Sequence, residues 1–313
     1  MNAQAIVPET TRDALADAIR QVNGLVLGKS TQVDLAFACL LAGGHLLIED
    51  LPGLGKTTLA RSMAATLGLS FQRMQFTADL LPSDILGVSV YEQDQRAFRF
   101  HPGPLFTQLL LADEINRAPP RTQSALLEAM AEQQVTIDGT CHRLPAPFFV
   151  IATQNPTDLA GTFALPDSQL DRFLIRVELG YPDAEAERVM LSGESRDEMI
   201  ARCIPVLGTD EVLSLRRAAA NVHTSPHLIG YVHGLVQQSR KHPGVRVGLS
   251  PRAGLALLGV ARALSLVRGD DHVAPETVQA VFAPVAAHRL VVDGDGPGAE
   301  ERAREMLGAV ALP

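Results

Sequence analysis

Cysteine is scarce in this chain of 313 residues: Cys39, Cys141 and Cys203 lie far apart, with no C-x-x-C pair. That argues against a disulfide framework and a zinc site, and predicts free, buried thiols in a reducing compartment. Positive charge is short as well. Lysine and arginine number 27 against 35 acidic residues, a formal net charge of −8, so no broad attraction to a nucleic-acid backbone is expected. Long apolar runs are missing. The longest, residues 36–48, is broken by Gly43-Gly44-His45 and is too short to span a bilayer. The N-terminal stretch carries Glu9, Asp13 and Asp17 and has no apolar signal-peptide segment, so a cytoplasmic protein is expected. The histidines are scattered without ligand spacing and read as core or surface residues. The rest is an ordinary globular balance, long enough for one large or two ordinary domains.

One stretch organises the chain: His45 to Thr58, H-L-L-I-E-D-L-P-G-L-G-K-T-T. A short apolar run enters a Pro/Gly turn, the turn ends in Gly-Lys-Thr, and a helical pattern follows (Leu59, Ala60, Met63, Ala64, Leu67). This is a strand, a phosphate-cradling loop and a helix N-terminus, where backbone N–H groups and the helix dipole favour an anion. Gly53 and Gly55 let the backbone approach phosphate oxygens, Lys56 can reach the β- and γ-phosphates, and the Thr57 hydroxyl can ligate Mg²⁺. The pattern G-x-x-x-x-G-K-[ST] wants glycine at position 50, where this chain has Asp50. Asp50 is read as the strand end, pointing away from the phosphates. A chance Gly/Pro turn before a lysine is the competing reading.

Further on, Leu109-Leu110-Leu111-Ala112-Asp113-Glu114 is an apolar strand ending in two carboxylates. Beside the loop, Asp113 would hold Mg²⁺ and Glu114 would polarise the attacking water; Asp-Glu after an apolar run also arises by chance. Phe148 to Thr153 reads as a buried strand leading to Asn155, placed to bond the γ-phosphate or the water, or else to serve only in the turn before Pro156. Arg172 precedes a strand over residues 174–177 and can face outward into a neighbouring subunit's site; a surface ion pair with Asp171 or Asp167 is the alternative. Two hairpins are expected, over 88–101 around Gln93-Asp94-Gln95, and over 134–144 around Asp138-Gly139. Helices are expected at 10–22, up to Leu41 with Ser30 or Thr31 as cap, and at 122–132.

After Gly180-Tyr181-Pro182-Asp183 the pattern becomes almost wholly helical: 183–191, 210–222, 226–239, a helix to Val267 capped by Ser250, 277–288 kinked or cut short by Pro284, and 299–307. Arg252, in the first turn after that cap, either points back at the nucleotide or is simply solvated.

These motifs, in this order, resemble the AAA+ ATPases of the MoxR family, over residues 21–288. The resemblance rests on E-D-L-P-G-L-G-K-T at 49–57, L-L-A-D-E-I-N-R-A-P-P at 110–120, A-T-Q-N-P at 152–156, Q-L-D-R-F at 169–173 and L-S-P-R-A at 249–253. It implies an α/β P-loop NTPase core, a three-layer αβα domain on a parallel five-stranded sheet, over residues 1–180, followed by a small all-α lid over 184–313. The hairpins resemble the helix-2 insertion, about 83–104, and the pre-sensor-1 hairpin. Pro52, Gly53, Leu54, Gly55, Lys56, Thr57 and Thr58 would then bind ATP as Walker A, with Thr57 and Asp113 on Mg²⁺ and Glu114 as catalytic base. Asn155 corresponds to sensor 1, Arg172 to the arginine finger and Arg252 to sensor 2. The family further implies a homo-oligomeric, hexameric ring that remodels or matures client proteins, often with von Willebrand A domains or metal cofactors. An ATP-dependent switch with negligible turnover is the alternative. A nucleic-acid motor is disfavoured by the charge and the lack of a G-A-F-T-G-A loop, and GTP by the lack of N-K-x-D.

Overall fold

The computed structural model describes residues 9–156, 161–293 and 298–312. Two helices come first, α1 (Glu9–Leu25) and α2 (Ser30–Leu41). α1 buries Leu15, Ile19 and Val22 on one stripe, whereas α2 buries Val33 and every residue from Leu35 to Leu41 and is an interior helix. Its N-cap is Lys29, without a side-chain cap bond. Ser30 and Thr31, either of which is expected as the cap, are already in the first turn.

There follow β1 (Leu46–Glu49), α3 (Lys56–Thr66), β2 (Phe71–Gln75), α4 (Pro82–Leu86), β3 (Gly87–Glu92), β4 (Ala97–Pro102), β5 (Leu109–Asp113) and a 3₁₀ turn (Ile115–Arg117). Then come α5 (Pro120–Glu132), β6 (Gln134–Ile137), β7 (Thr140–Arg143), β8 (Phe149–Gln154), α6 (Asp167–Leu170) and β9 (Ile175–Val177). β2, β5, β8, β1 and β9 form, in that order, a five-stranded sheet whose pairings are all parallel. Both expected hairpins form, β3–β4 and β6–β7. Asp138 and Gly139 both have positive φ, +50° and +78°, as a two-residue primed turn requires.

The strand period of two divides the core between the faces of the sheet. Leu46, Ile48, Leu109, Leu111, Phe149 and Ile151 face α1, α2 and α3. Leu47, Leu110, Ala112, Val150 and Ala152 face α4 and α5, with Phe148 and Phe173 packed beside them. This is the expected three-layer arrangement, and it explains why these strands read as continuous apolar runs.

The second half adds α7 (Ala184–Ser192), α8 (Arg196–Ala201), α9 (Thr209–Ala220), α10 (Pro226–Lys241), β10 (Val245–Val247), α11 (Pro251–Val267), α12 (Pro275–Ala286), a 3₁₀ turn (Ala287–Arg289), β11 (Val291–Val292) and α13 (Ala299–Ala309). Asp183 and Ser250 cap α7 and α11 through their side chains. α12 runs through Pro284 and gives way to the 3₁₀ turn after Ala286, two residues short of the expected end. α9 and α11 pack on α2, and α7 follows directly on the sheet's last strand. The expectation of buried thiols holds for Cys39 alone: Cys141 is exposed on β7 and Cys203 is half-buried.

Candidate active site

β5, β8 and β1 are adjacent, and their register aligns Ala112 with Ala152 and Glu49 with Gln154. Their carboxyl ends therefore open onto one cleft, the usual ligand position in a parallel α/β sheet. Pro52, Gly53, Gly55, Lys56, Thr57 and Thr58 line it from the loop and the start of α3, and Asp113, Glu114 and Asn155 line it from the strand ends. Gly53 and Gly55 have φ of +82° and +95°, and a Cβ at either would meet nothing within 4 Å. Backbone conformation requires glycine there, and the space above it is open.

Lys56 Nζ donates to the carbonyls of Asp50, at 2.5 Å, and Leu51, at 3.1 Å. Burial holds its pKa below the usual lysine value, against the pull of Asp50, Asp113 and Glu114. Asp50 turns its carboxylate out of the cleft. It accepts N–H bonds from Gly180 (2.6 Å) and Leu51 (2.8 Å) and so ties the loop to the chain leaving β9.

Thr153, fully buried on β8, organises the acidic pair. Its hydroxyl donates to Asp113 Oδ1 at 2.6 Å and accepts the Glu114 backbone N–H at 2.9 Å. Asp113 Oδ2 takes an ion pair from Arg73 at 2.8 Å. Glu114 has a left-handed backbone, φ +55°, and its Oε2 accepts from Gln75 at 2.9 Å and pairs with Arg117 at 2.7 Å. A left-handed backbone is costly for a non-glycine residue, and here it is held by the Thr153 hydroxyl on the Glu114 N–H. Arg73 and Gln75, two apart on β2, and Met190 on α7 were not singled out in the sequence. Only the sheet order, which puts β2 beside β5, brings the first two here.

Leu54 lines an adjoining, mostly apolar cavity with Leu25, Val26, Tyr181 and Leu191. Arg172 and Arg252 do not line the cleft. They share a separate cavity with Asp171, Arg289, His45 and Gln133, because α11 packs on α2 and α12 and its first turn falls beside the segment before β9. Arg252, read as pointing back at the nucleotide or as simply solvated, is exposed and lies in this second cavity, not in the cleft of its own chain. Arg172 Nη1 donates to the Leu127 carbonyl at 2.6 Å, while the Asp171 carboxylate goes to Arg289, so the Asp171–Arg172 ion pair does not form.

The profile of the ATPase family associated with various cellular activities (AAA) matches residues 45–175, and that of the AAA lid domain matches residues 237–307. Uncharacterized protein YeaC of Bacillus subtilis (strain 168) is 41% identical, over 97% of both chains. Chaperone MoxR1 of Mycobacterium tuberculosis is 40% identical over 96% of this chain and 82% of its own length. A crystal structure assigned as an ATPase, from Cytophaga hutchinsonii ATCC 33406, superposes with a TM-score of 0.87 at 34% identity, covering 97% of this chain and 96% of that one. With the Walker residues gathered in one cleft and this likeness running almost end to end, the chain belongs to the MoxR family of AAA+ ATPases.

Proposed function

We propose that the chain binds ATP with Mg²⁺ in this cleft, hydrolyses it within a hexameric ring of its own copies, and spends the energy on remodelling a client protein in the cytoplasm. The observation that carries this reading is the convergence of Lys56, Thr57, Asp113, Glu114 and Asn155 at the edge formed by β5, β8 and β1.

The residues fit the ligands. Gly53 and Gly55 leave room for phosphate oxygens, and Lys56 can exchange two loop carbonyls for them. The apolar cavity beside Leu54 suits a purine base. The Thr57 hydroxyl and the Asp113 carboxylate are hard oxygen donors of the kind Mg²⁺ takes; the bound ion would neutralise charge on the phosphates. Glu114 orients a water and takes its proton, and Asn155 bonds the same water or the γ-phosphate. Arg172 and Arg252 lie outside the cleft of their own chain, which supports their delivery to a neighbour's site as finger and sensor.

The nucleotide-binding unit is taken as residues 1–180 and the lid as 184–313. The chaperone name of the mycobacterial relative supports a protein client over a nucleic acid. So does the exposed apolar surface of the β3–β4 hairpin, with Val88, Val90, Tyr91 and Phe98. The family resemblance points to a client with a von Willebrand A domain or a metal cofactor. Glu114→Gln tests the chemistry. It should bind ATP as the wild type does and lose at least about 10²-fold in turnover; wild-type turnover would remove Glu114 as the base.

A further inference from the structure

Arg289 lies in the 3₁₀ turn after α12, far in sequence from the segment that carries Arg172. Its side chain is only 6% exposed. The guanidinium spends nearly all its donors on residues 171–174. Nε donates to Asp171 Oδ1 at 2.7 Å, Nη2 to the Phe173 carbonyl at 2.7 Å and the Asp171 carbonyl at 3.4 Å, and Nη1 to the Leu174 carbonyl at 3.1 Å. Nη1 also bonds the Val285 carbonyl, one turn back in α12. His288, beside it, bonds the same Phe173 carbonyl at 3.0 Å. From the other side, Leu174 N–H donates to the His45 carbonyl at 2.8 Å. Arg172 sits within this clamp with its side chain on the Leu127 carbonyl and its backbone N–H on the Gln169 carbonyl, beside the cavity it shares with Arg252.

Burying a cation is costly, and a core serving only stability does as well with apolar groups. The fork of an arginine does what an apolar residue cannot: it fixes several carbonyls and one carboxylate at set angles. We propose that Arg289 is a positioning residue for Arg172, fixing through Asp171, Phe173 and Leu174 the backbone that presents the finger, and coupling it to α12 of the lid. This rests on the reading of Arg172 as a finger given above.

The test is steady-state ATPase of the full chain at saturating protein concentration, with ATP affinity measured in parallel. The variants are Arg172→Ala, Arg289→Gln, Arg289→Lys, Asp171→Asn and the double variant Arg172→Ala/Arg289→Gln. Arg289→Gln should lower kcat about 10- to 100-fold, as misplacing a catalytic group does, with KM within about twofold of wild type. Arg289→Lys keeps the charge but not the fork and should not restore kcat. The double variant should be no slower than Arg172→Ala alone. Should Arg289→Gln not fold, Arg289→Lys and Asp171→Asn read the same contact. Wild-type kcat in the Arg289 and Asp171 variants, with Arg172→Ala inactive, would overturn the proposal and leave the finger standing. An Arg289 effect that multiplies fully onto Arg172→Ala would also overturn it, since the two residues would then act independently. Wild-type turnover by Arg172→Ala would sink the finger reading itself.

Discussion

Thr153 bonds both acidic residues of the cleft, so its loss should touch chemistry and stability together. In Thr153→Val, Asp113 Oδ1 loses its hydroxyl donor and the Glu114 N–H loses its acceptor at a fully buried position. An unfolding free energy lower by about 1–3 kcal/mol and a kcat reduced about 10-fold are expected. Urea titration and ATPase assays measure the two; Thr153→Ser, which keeps the hydroxyl, should be near wild type in both. His45 makes a prediction of a different kind. Buried, with Nδ1 accepting from Val150 N–H and Nε2 on the Met130 carbonyl, it is held neutral, and burial pushes its pKa down to about 4. The unfolded chain takes up a proton near pH 6.5 that the folded chain refuses, so this term is fully present above pH 6.5 and is lost as the pH falls toward 4. His288, pushed down to about 3 by burial, acts with the same sign. Glu49, raised by burial, acts with the opposite one. The difference between chains isolates His45: between pH 6 and 4.5, His45→Asn should flatten the pH dependence of unfolding by about 1.4 kcal/mol per pH unit. An unchanged slope would refute the neutral assignment. At this scale the sequence read well where chemistry is local. Lys56, Asp113 and Glu114 sit next to their motifs. Arg73, Gln75 and Arg289 were invisible because pairing, not spacing, brings them to their partners.

Elements were legible where their own period spoke: the buried strands, the amphipathic α5, the Asp-Gly hairpin, the serine cap of α11. What was not legible depends on close approach between elements. The turn between α2 and β1 is the clearest instance. Gly44 lies against Leu174, and a Cβ there would fall 2.2 Å from the Leu174 Cβ and 2.3 Å from its Cδ2. Both partners are held, Leu174 by its N–H on the His45 carbonyl and its carbonyl on Arg289, and Gly44 by its N–H on the Cys39 carbonyl. Gly44→Ala should therefore cost about 1–3 kcal/mol of stability by overpacking. Because Leu174 adjoins the Arg172 segment, it should also lower kcat more than it raises KM. Thermal unfolding with ATPase kinetics on the same preparation measures both, and a wild-type melting temperature would show that the turn shifts freely. In the sequence, Gly43-Gly44 registers only as a break in an apolar run. α8, which packs on α1 and α3, gave no periodic signal because six residues are too few to show one.

The whole molecule is where the sequence said least and the arrangement says most. Charge and motif order point to an ATPase, but nothing in a linear motif says that the carboxylates and the arginines open into different cavities of one chain. In the ring proposed above, a site split this way would be completed by a head-to-tail contact, in which each copy gives its arginines to the next and takes them from the previous one. Activity per subunit should then rise with protein concentration and fall on dilution. Mixing two inactive chains gives a sharper consequence. A Glu114→Gln chain has no base but keeps Arg172, and an Arg172→Ala chain keeps Glu114 but offers no finger. Alone, each forms only defective interfaces. Mixed in equal amounts, about one interface in four joins an intact Glu114 to an intact Arg172 across a heterologous contact. Turnover should therefore reappear at about a quarter of the wild-type rate if interfaces act independently. If neighbouring sites must fire together no turnover should reappear, since the chain that lends its finger to a good interface lacks Glu114 at the next one, and two good interfaces are never adjacent. A mixture as inactive as its parts, although mass measurements show the two chains in one ring, would mean either that firing is concerted or that Glu114 and Arg172 serve the same chain's nucleotide; a small share of either variant doped into wild type separates these, with a loss steeper than that share for concerted firing and a loss equal to it for a site within one chain. The separate cavity around Arg172, Arg252 and Arg289 would then need another occupant.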